Sequence, residues 1–126
     1  LTDQFPRNMF RGLPEAFATD PAARAAARRA IAAGWDLGVP EPERQFFYLP
    51  FEHSEEPADH ILAVRYMTDR MSGGTGALHA RAHQEIIRLF GRFPFRNAAL
   101  GRESTDEERA FLADGGYGAI VRKLQA

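Results

Sequence analysis

No stretch of this 126-residue chain alternates apolar and polar residues for long enough to form a half-buried strand. Several stretches between proline and glycine breaks instead place apolar residues at helical spacing. Alanine is abundant and valine, isoleucine and threonine are scarce, which also favours helices, since strands rely on β-branched side chains.

The first clear segment opens at Asp20-Pro21, a capping acid followed by a residue suited to the first helical position. Ala22 to Ala33 then run without a breaker to Gly34, which can close the helix in a left-handed conformation. Arg24, Arg28 and Arg29 share one side, and Ala23, Ala26, Ala27, Ala30 and Ile31 form a small-residue face that a large neighbour such as Trp35 or Phe17 is expected to complete. The apolar run Phe46-Phe47-Tyr48-Leu49-Pro50-Phe51 reads as a helix because no second strand candidate exists to pair with it, and Pro50 demands a kink or break near Phe46. Pro57 to Met71 places Ile61, Val64, Met67 or Thr68, and Met71 on one stripe before the glycine loop Ser72-Gly73-Gly74-Thr75-Gly76. Ala77 to about Phe93 sets Leu78, Ala82, Ile86, Leu89, Phe90 and Phe93 against Arg81, Glu85, Arg88 and Arg92. Thr105-Asp106-Glu107-Glu108 fits a capping box with Gly115-Gly116 as the stop, and Ala119 to Ala126 adds a short turn or frays. The expectation is a single all-α domain over residues 1–126, built of five or six helices.

Sixteen basic and 17 acidic side chains give a net charge of -1, so neither nucleic acid nor an anionic membrane is an expected partner. With no cysteine there is no disulfide, cysteine zinc site or thiol nucleophile. No apolar run approaches the roughly 20 residues of a membrane span, and the first residues lack the pattern of a secretory signal, so a cytoplasmic protein is expected. The chain begins with Leu1, not methionine.

One motif occurs twice: Phe5-Pro6-Arg7-Asn8 with Gly12, and Phe93-Pro94-Phe95-Arg96-Asn97 with Gly101. Turn chemistry explains the proline, asparagine and glycine. It explains the arginines less well, and two guanidinium groups on similar corners can converge on a shared carboxylate or an anionic ligand.

These and other strings, D-Q-F-P-R-N, A-F-A-T-D-P-A-A, F-F-Y-L-P-F-E-H-S-E, F-G-R-F-P-F-R-N and L-G-R-E-S-T-D-E-E, together resemble the bacterial domain of unknown function 924 family, from Thr2 to about Gly118. The resemblance implies an all-helical fold classed with the tetratricopeptide-like superhelices, and no established activity. No tetratricopeptide signature or regular period occurs here, so the superhelix comes from the resemblance alone. Members usually carry a substantial region ahead of D-Q-F-P-R-N, which this chain enters two residues before that motif; the resemblance thus implies a domain entered part-way. Members also tend to have histidine where this chain has Phe95.

The strongest polar cluster is Glu52-His53-Ser54-Glu55, directly after the most hydrophobic run. Polar groups abutting a buried run must find partners, and a carboxylate can tune a histidine across neutral pH. A purely structural role, with Ser54 capping the next helix and His53 making one fixed hydrogen bond, is the simpler reading. His79 and His83 lie four apart, as two metal ligands would, but no third ligand is specified and H-E-x-x-H is absent, so neither metal nor cofactor is expected. His83 is expected to pack on the core and hydrogen-bond to a neighbour such as the His53 segment, while His60 gives no signal. Neither G-x-S-x-G nor S-x-x-K occurs, and the glycine loop lacks a phosphate-loop lysine.

The leading expectation is therefore a helical binding or interaction domain. Its polar, anion-compatible pocket would be lined by Asp3, Gln4, Arg7, Asn8, His53, Ser54, Glu55, His83, Arg96 and Asn97, and would take a small anionic ligand or a protein partner. Arg7 and Arg96 should then reach the His53 segment. The alternative is an enzyme, such as a hydrolase, with His53 or His83 as base, Glu55 or Glu52 orienting it and the arginines holding an anionic substrate. Phe5, Phe10 and Phe17 suggest an apolar face whose burial would make a homodimer.

Overall fold

A computed structural model of the chain describes residues 20–72 and 74–125. Among the described residues every regular element is helical, with seven α-helices and three 3-10 turns in this order. Helix α1 spans Asp20–Ala32; 3-10 turns follow at Trp35–Gly38 and Glu43–Phe47; α2 spans Leu49–Glu52, α3 Pro57–Asp69 and α4 Gly76–Phe90; a 3-10 turn at Pro94–Arg96 leads into α5, Asn97–Leu100; α6 spans Asp106–Ala113 and α7 Gly116–Gln125. The number exceeds the expected five or six because α5 is a single turn inside what reads as a connector and the tail forms a full helix, α7.

The hairpin of α3 on α4 is the centre of the packing. On one side, α1 and α2 bring Ala27, Ile31, Tyr48 and Phe51 against Ala63, Met67 and Ala80. On the other, α7 brings Ile120 against Ala82, Ile86, Ile87 and Phe93. Each large side chain removed from water here contributes roughly 1.5–3 kcal/mol. Helix α4 thus serves both clusters, with Ala80 facing one and Ala82 the other.

Local signals placed most boundaries. Gly34 closes α1 at φ 76°, which costs a glycine little. Thr105 Oγ1 accepts the Glu108 N–H at 3.1 Å while Glu108 Oε1 accepts the Thr105 N–H at 2.8 Å, the reciprocal capping box at the start of α6.

Several expectations are narrowed or corrected. Of the kink or break expected near Phe46, the structure shows the break. The run divides into a 3-10 turn and α2, and Pro50 sits in the first turn of α2, where its missing N–H has no helical partner to lose. On α3 the buried positions are Asp59, His60, Ala63 and Met67, and Ile61 is 56% exposed, because Asp59 and His60 are drawn inward by polar partners on other elements. Leu89 of α4 is also exposed, and the helix ends at Phe90 on a left-handed Gly91 before it reaches Phe93. Trp35 does not complete the alanine face of α1. It is 68% exposed at the edge of a hollow of about 260 Å3 with Ala26, Ala30, Phe47 and Pro50, while Tyr48 and Phe51 fill the core. Phe17 lies outside the described residues. The glycine pair stops α6 as expected, but α7 begins at once and runs ten residues, so the tail is more than a short turn.

Candidate functional site

The single turn of α2 buries Pro50, Phe51 and Glu52 and then hands the chain to His53, whose N–H bonds back to Leu49 O at 2.9 Å. Packing Phe51 inward forces its neighbour Glu52 to the seam between the two clusters, where it is only 3% exposed. There Glu52 Oε1 lies 3.0 Å from His83 Nδ1 of α4. That nitrogen also lies 2.8 Å from the His79 carbonyl. Both neighbours are acceptors, so Nδ1 carries the proton and donates, and Nε2 is left as the basic position of the neutral ring. Among the described residues Nε2 has no hydrogen-bond partner and is not sealed from solvent. Glu52 Oε2 is buried and has no hydrogen-bond partner among them.

Aromatic rings hold the imidazole. Tyr117 lies 4.8 Å from the His83 ring, Phe93 5.7 Å away edge-on, and His53 5.7 Å away. The Tyr117 hydroxyl hydrogen-bonds His79 Nδ1, and its pKa is pushed well above the ordinary value by burial first and by the Glu52 charge second, so the phenol stays protonated. Glu52, His79, His83 and Tyr117 line a cavity of about 490 Å3 together with Leu49, Met67 and Met71. That volume falls in the usual range of small-molecule sites.

Beside this seam stands the second arginine-asparagine corner. Arg96 donates to His53 O at 2.7 Å and lies over the Phe93 ring. Glu55 receives both arms of Arg102 at 2.9 and 3.0 Å, and also the Phe93 N–H at 2.8 Å. Burial opposes ionisation of Glu55, but the Arg102 hydrogen bonds, the Phe93 amide and the charges of Arg102 and Arg96 outweigh it, so its carboxyl sits below the ordinary range. Asn97 is buried, donating to Ser104 Oγ at 3.0 Å and accepting from Arg102 Nε at 3.0 Å. Ser54 Oγ donates to Asp59 Oδ2 at 2.7 Å and accepts the Glu56 N–H at 3.0 Å, one residue short of α3. Asp59 also takes Arg28 at 2.6 Å and Arg24 at 3.2 Å, tying α1 to α3.

Of the residues singled out in the sequence, His53, Glu55, Arg96 and Asn97 are joined by hydrogen bonds through Phe93 and Arg102, Ser54 bonds separately to Asp59 and the His60 ring, and His83 borders the group through the His53 ring. Arg96 reaches the His53 segment. Asp3, Gln4, Arg7 and Asn8 lie outside the described residues. The i, i+4 pair His79 and His83 turns its Nδ1 atoms to Tyr117 and Glu52, and among the described residues no group of three His, Asp or Glu side chains is arranged to hold a metal ion.

Two groups escaped the sequence reading. Tyr117 sits among glycines that read as a stop, and nothing local marks it. His60 is fully buried: Nε2 donates to Ser54 O at 2.5 Å, Nδ1 has no partner among the described residues, and burial above all lowers its pKa. It borders a second hollow, of about 500 Å3, with Ile61, Arg81, Gln84, Arg88 and Leu124. Arg88 there is paired to Glu85.

Residues 1–116 match the model of a family described as bacterial protein of unknown function (DUF924). The chain is also similar to the solved structure of a protein of unknown function from Agrobacterium tumefaciens, at 49% identity and a TM-score of 0.84 over 90% of this chain. It spans 63% of that protein's length. No curated protein matches the chain.

Proposed function

The chain belongs to this family of bacterial proteins of unknown function, DUF924, and on that premise we propose that it is a helical small-molecule-binding domain whose site is the cavity between Glu52, His83 and Tyr117. The observation that carries the proposal is the Glu52–His83 pair: a buried carboxylate with one oxygen on an oriented imidazole and the other without a partner among the described residues, both residues lining a cavity of ligand size. His53, Ser54, Glu55, Arg96 and Asn97 serve this site as its support. Arg96 is directed at the His53 carbonyl and Arg102 at Glu55, so the corner braces the end of α2 and the reading gives up an anion held by these guanidinium groups.

A stability comparison tests this. Residues kept for binding are dispensable to the fold, so Glu52→Gln and His83→Gln should hold the melting temperature or raise it, since Glu52→Gln removes a buried charge that is only half satisfied. Loss of stability in both, as large as that from Glu55→Gln, would assign the pair to the scaffold and remove the site.

The enzymatic reading has one specific support. With Nδ1–H fixed by Glu52 Oε1 and the His79 carbonyl, His83 Nε2 has the orientation a general base needs, and the carboxylate would stabilise the imidazolium formed when it takes a proton. The tetratricopeptide-like superhelix, the cytoplasmic location and the homodimer belong to the same proposal. The homodimer draws support from Trp35, Leu37 and Phe46, which stand 68%, 53% and 39% exposed on one short stretch of chain.

A further inference from the structure

We infer that the cavity beside Glu52 and Tyr117 selects a small organic ammonium ion carrying an apolar body, with the Glu52 carboxylate as its counter-charge. This rests on the proposed binding role of that cavity and names the class of ligand. Glu52 is 3% exposed, and its two oxygens differ: Oε1 lies 3.0 Å from His83 Nδ1, while Oε2 is buried without a donor among the described residues. A buried carboxylate oxygen in that condition is costly, and a donor carrying positive charge offsets the cost better than a neutral one.

The rest of the lining points the same way. Glu52 is the one acid among the described lining residues, and they include no lysine or arginine. The two nearby arginines are engaged elsewhere, Arg70 with Asp36 at 2.8 Å and Arg44 with the Val39 and Arg70 carbonyls at 2.9 and 2.6 Å. A carboxylate or phosphate entering here would meet a carboxylate with no guanidinium to receive it. An ammonium ion meets Glu52, the ring of Tyr117 and the thioethers of Met67 and Met71, groups that attract or tolerate a desolvated cation. Leu49 and the methionine stems supply the wall for an apolar body. His83 does not serve Oε2, because its Nδ1 faces the His79 carbonyl at 2.8 Å and Glu52 Oε1 at 3.0 Å.

Three probes of one shape and different charge decide the matter: benzylamine, benzyl alcohol and benzoate, titrated into the full chain and followed by amide NMR at Glu52, His83 and Tyr117. Benzylamine should bind at least about tenfold more tightly than benzyl alcohol, as a charge-assisted hydrogen bond implies, and benzoate more weakly than either. The Glu52→Gln chain should lose that tenfold preference. If benzyl alcohol or benzoate shifts these signals as strongly as benzylamine does, the cavity binds but the cationic class is wrong. If none of the three moves them, both the class and the binding role fall.

Discussion

Glu108 and Glu52 are buried to nearly the same degree, at 2% and 3% exposed, yet their surroundings differ in kind. Glu108 receives Arg92 through both oxygens at 2.7 and 2.8 Å and closes the capping box of α6. The Arg92 hydrogen bond above all, then the Thr105 amide, Arg92's charge and Asn97, overcome burial and bring its pKa down to about 2. This is a satisfied structural charge, and Glu108→Ala should cost at least about 1 kcal/mol in urea unfolding, since it removes the capping-box carboxylate of α6. A loss under about 1 kcal/mol would contradict it. The sign with pH follows from the direction of each shift. Glu108 has a folded pKa below its ordinary 4.5, so its contribution is complete above that pH and lost as pH falls toward about 2. His60, lowered from 6.5 by burial, contributes fully above pH 6.5 and less below it, because only the unfolded ring then takes a proton. Thermal unfolding between pH 8 and 3 should therefore show one decline beginning near pH 6.5 and a second below 4.5. Stability unchanged between pH 7 and 5.5 would exclude the His60 contribution.

At the scale of elements, what the chain announced locally was readable and what depended on distant partners was not. The capping box at Thr105 and the left-handed Gly34 need only their neighbours in sequence. Pro50 was ambiguous because the same residue breaks one helix or opens the next. The buried face of α3 was misplaced because Asp59 is fixed by Arg24 and Arg28 of α1 and His60 by the Ser54 carbonyl, contacts that no helical period contains. The Glu52-His53-Ser54-Glu55 cluster stood out as polar residues after an apolar run, yet which of the four lines the cavity depends on where α2 ends. The Phe93-to-Gly101 corner joins this cluster chiefly through Glu55 and Arg102. Both are about a quarter exposed, so water screens their pair, while its two-pronged geometry strengthens it. A double-mutant cycle with Glu55→Gln and Arg102→Gln should show coupling of about 1 kcal/mol. Additive losses would mean that the corner does not brace α2 through this pair.

Over the whole molecule, two apolar clusters share the α3–α4 hairpin, and the polar seam between them is where α2, α4 and α7 meet as Glu52, His83 and Tyr117. Burying polar groups at a seam costs stability that a fold organised for packing alone would avoid. On the outer side stand the exposed Trp35, Leu37 and Phe46; if they self-associate as proposed, light scattering at micromolar concentration should give a dimer mass, and a monomer mass would refute self-association. The binding role depends most closely on the geometry of His83. Long-range proton–nitrogen correlation of the histidine rings, recorded where His83 is neutral, reads it directly. The proton should reside on Nδ1, held between Glu52 Oε1 and the His79 carbonyl, with Nε2 unprotonated. A neutral His83 protonated at Nε2 would mean that the Glu52–His83 pair does not exist as described, and the site built on it would fall.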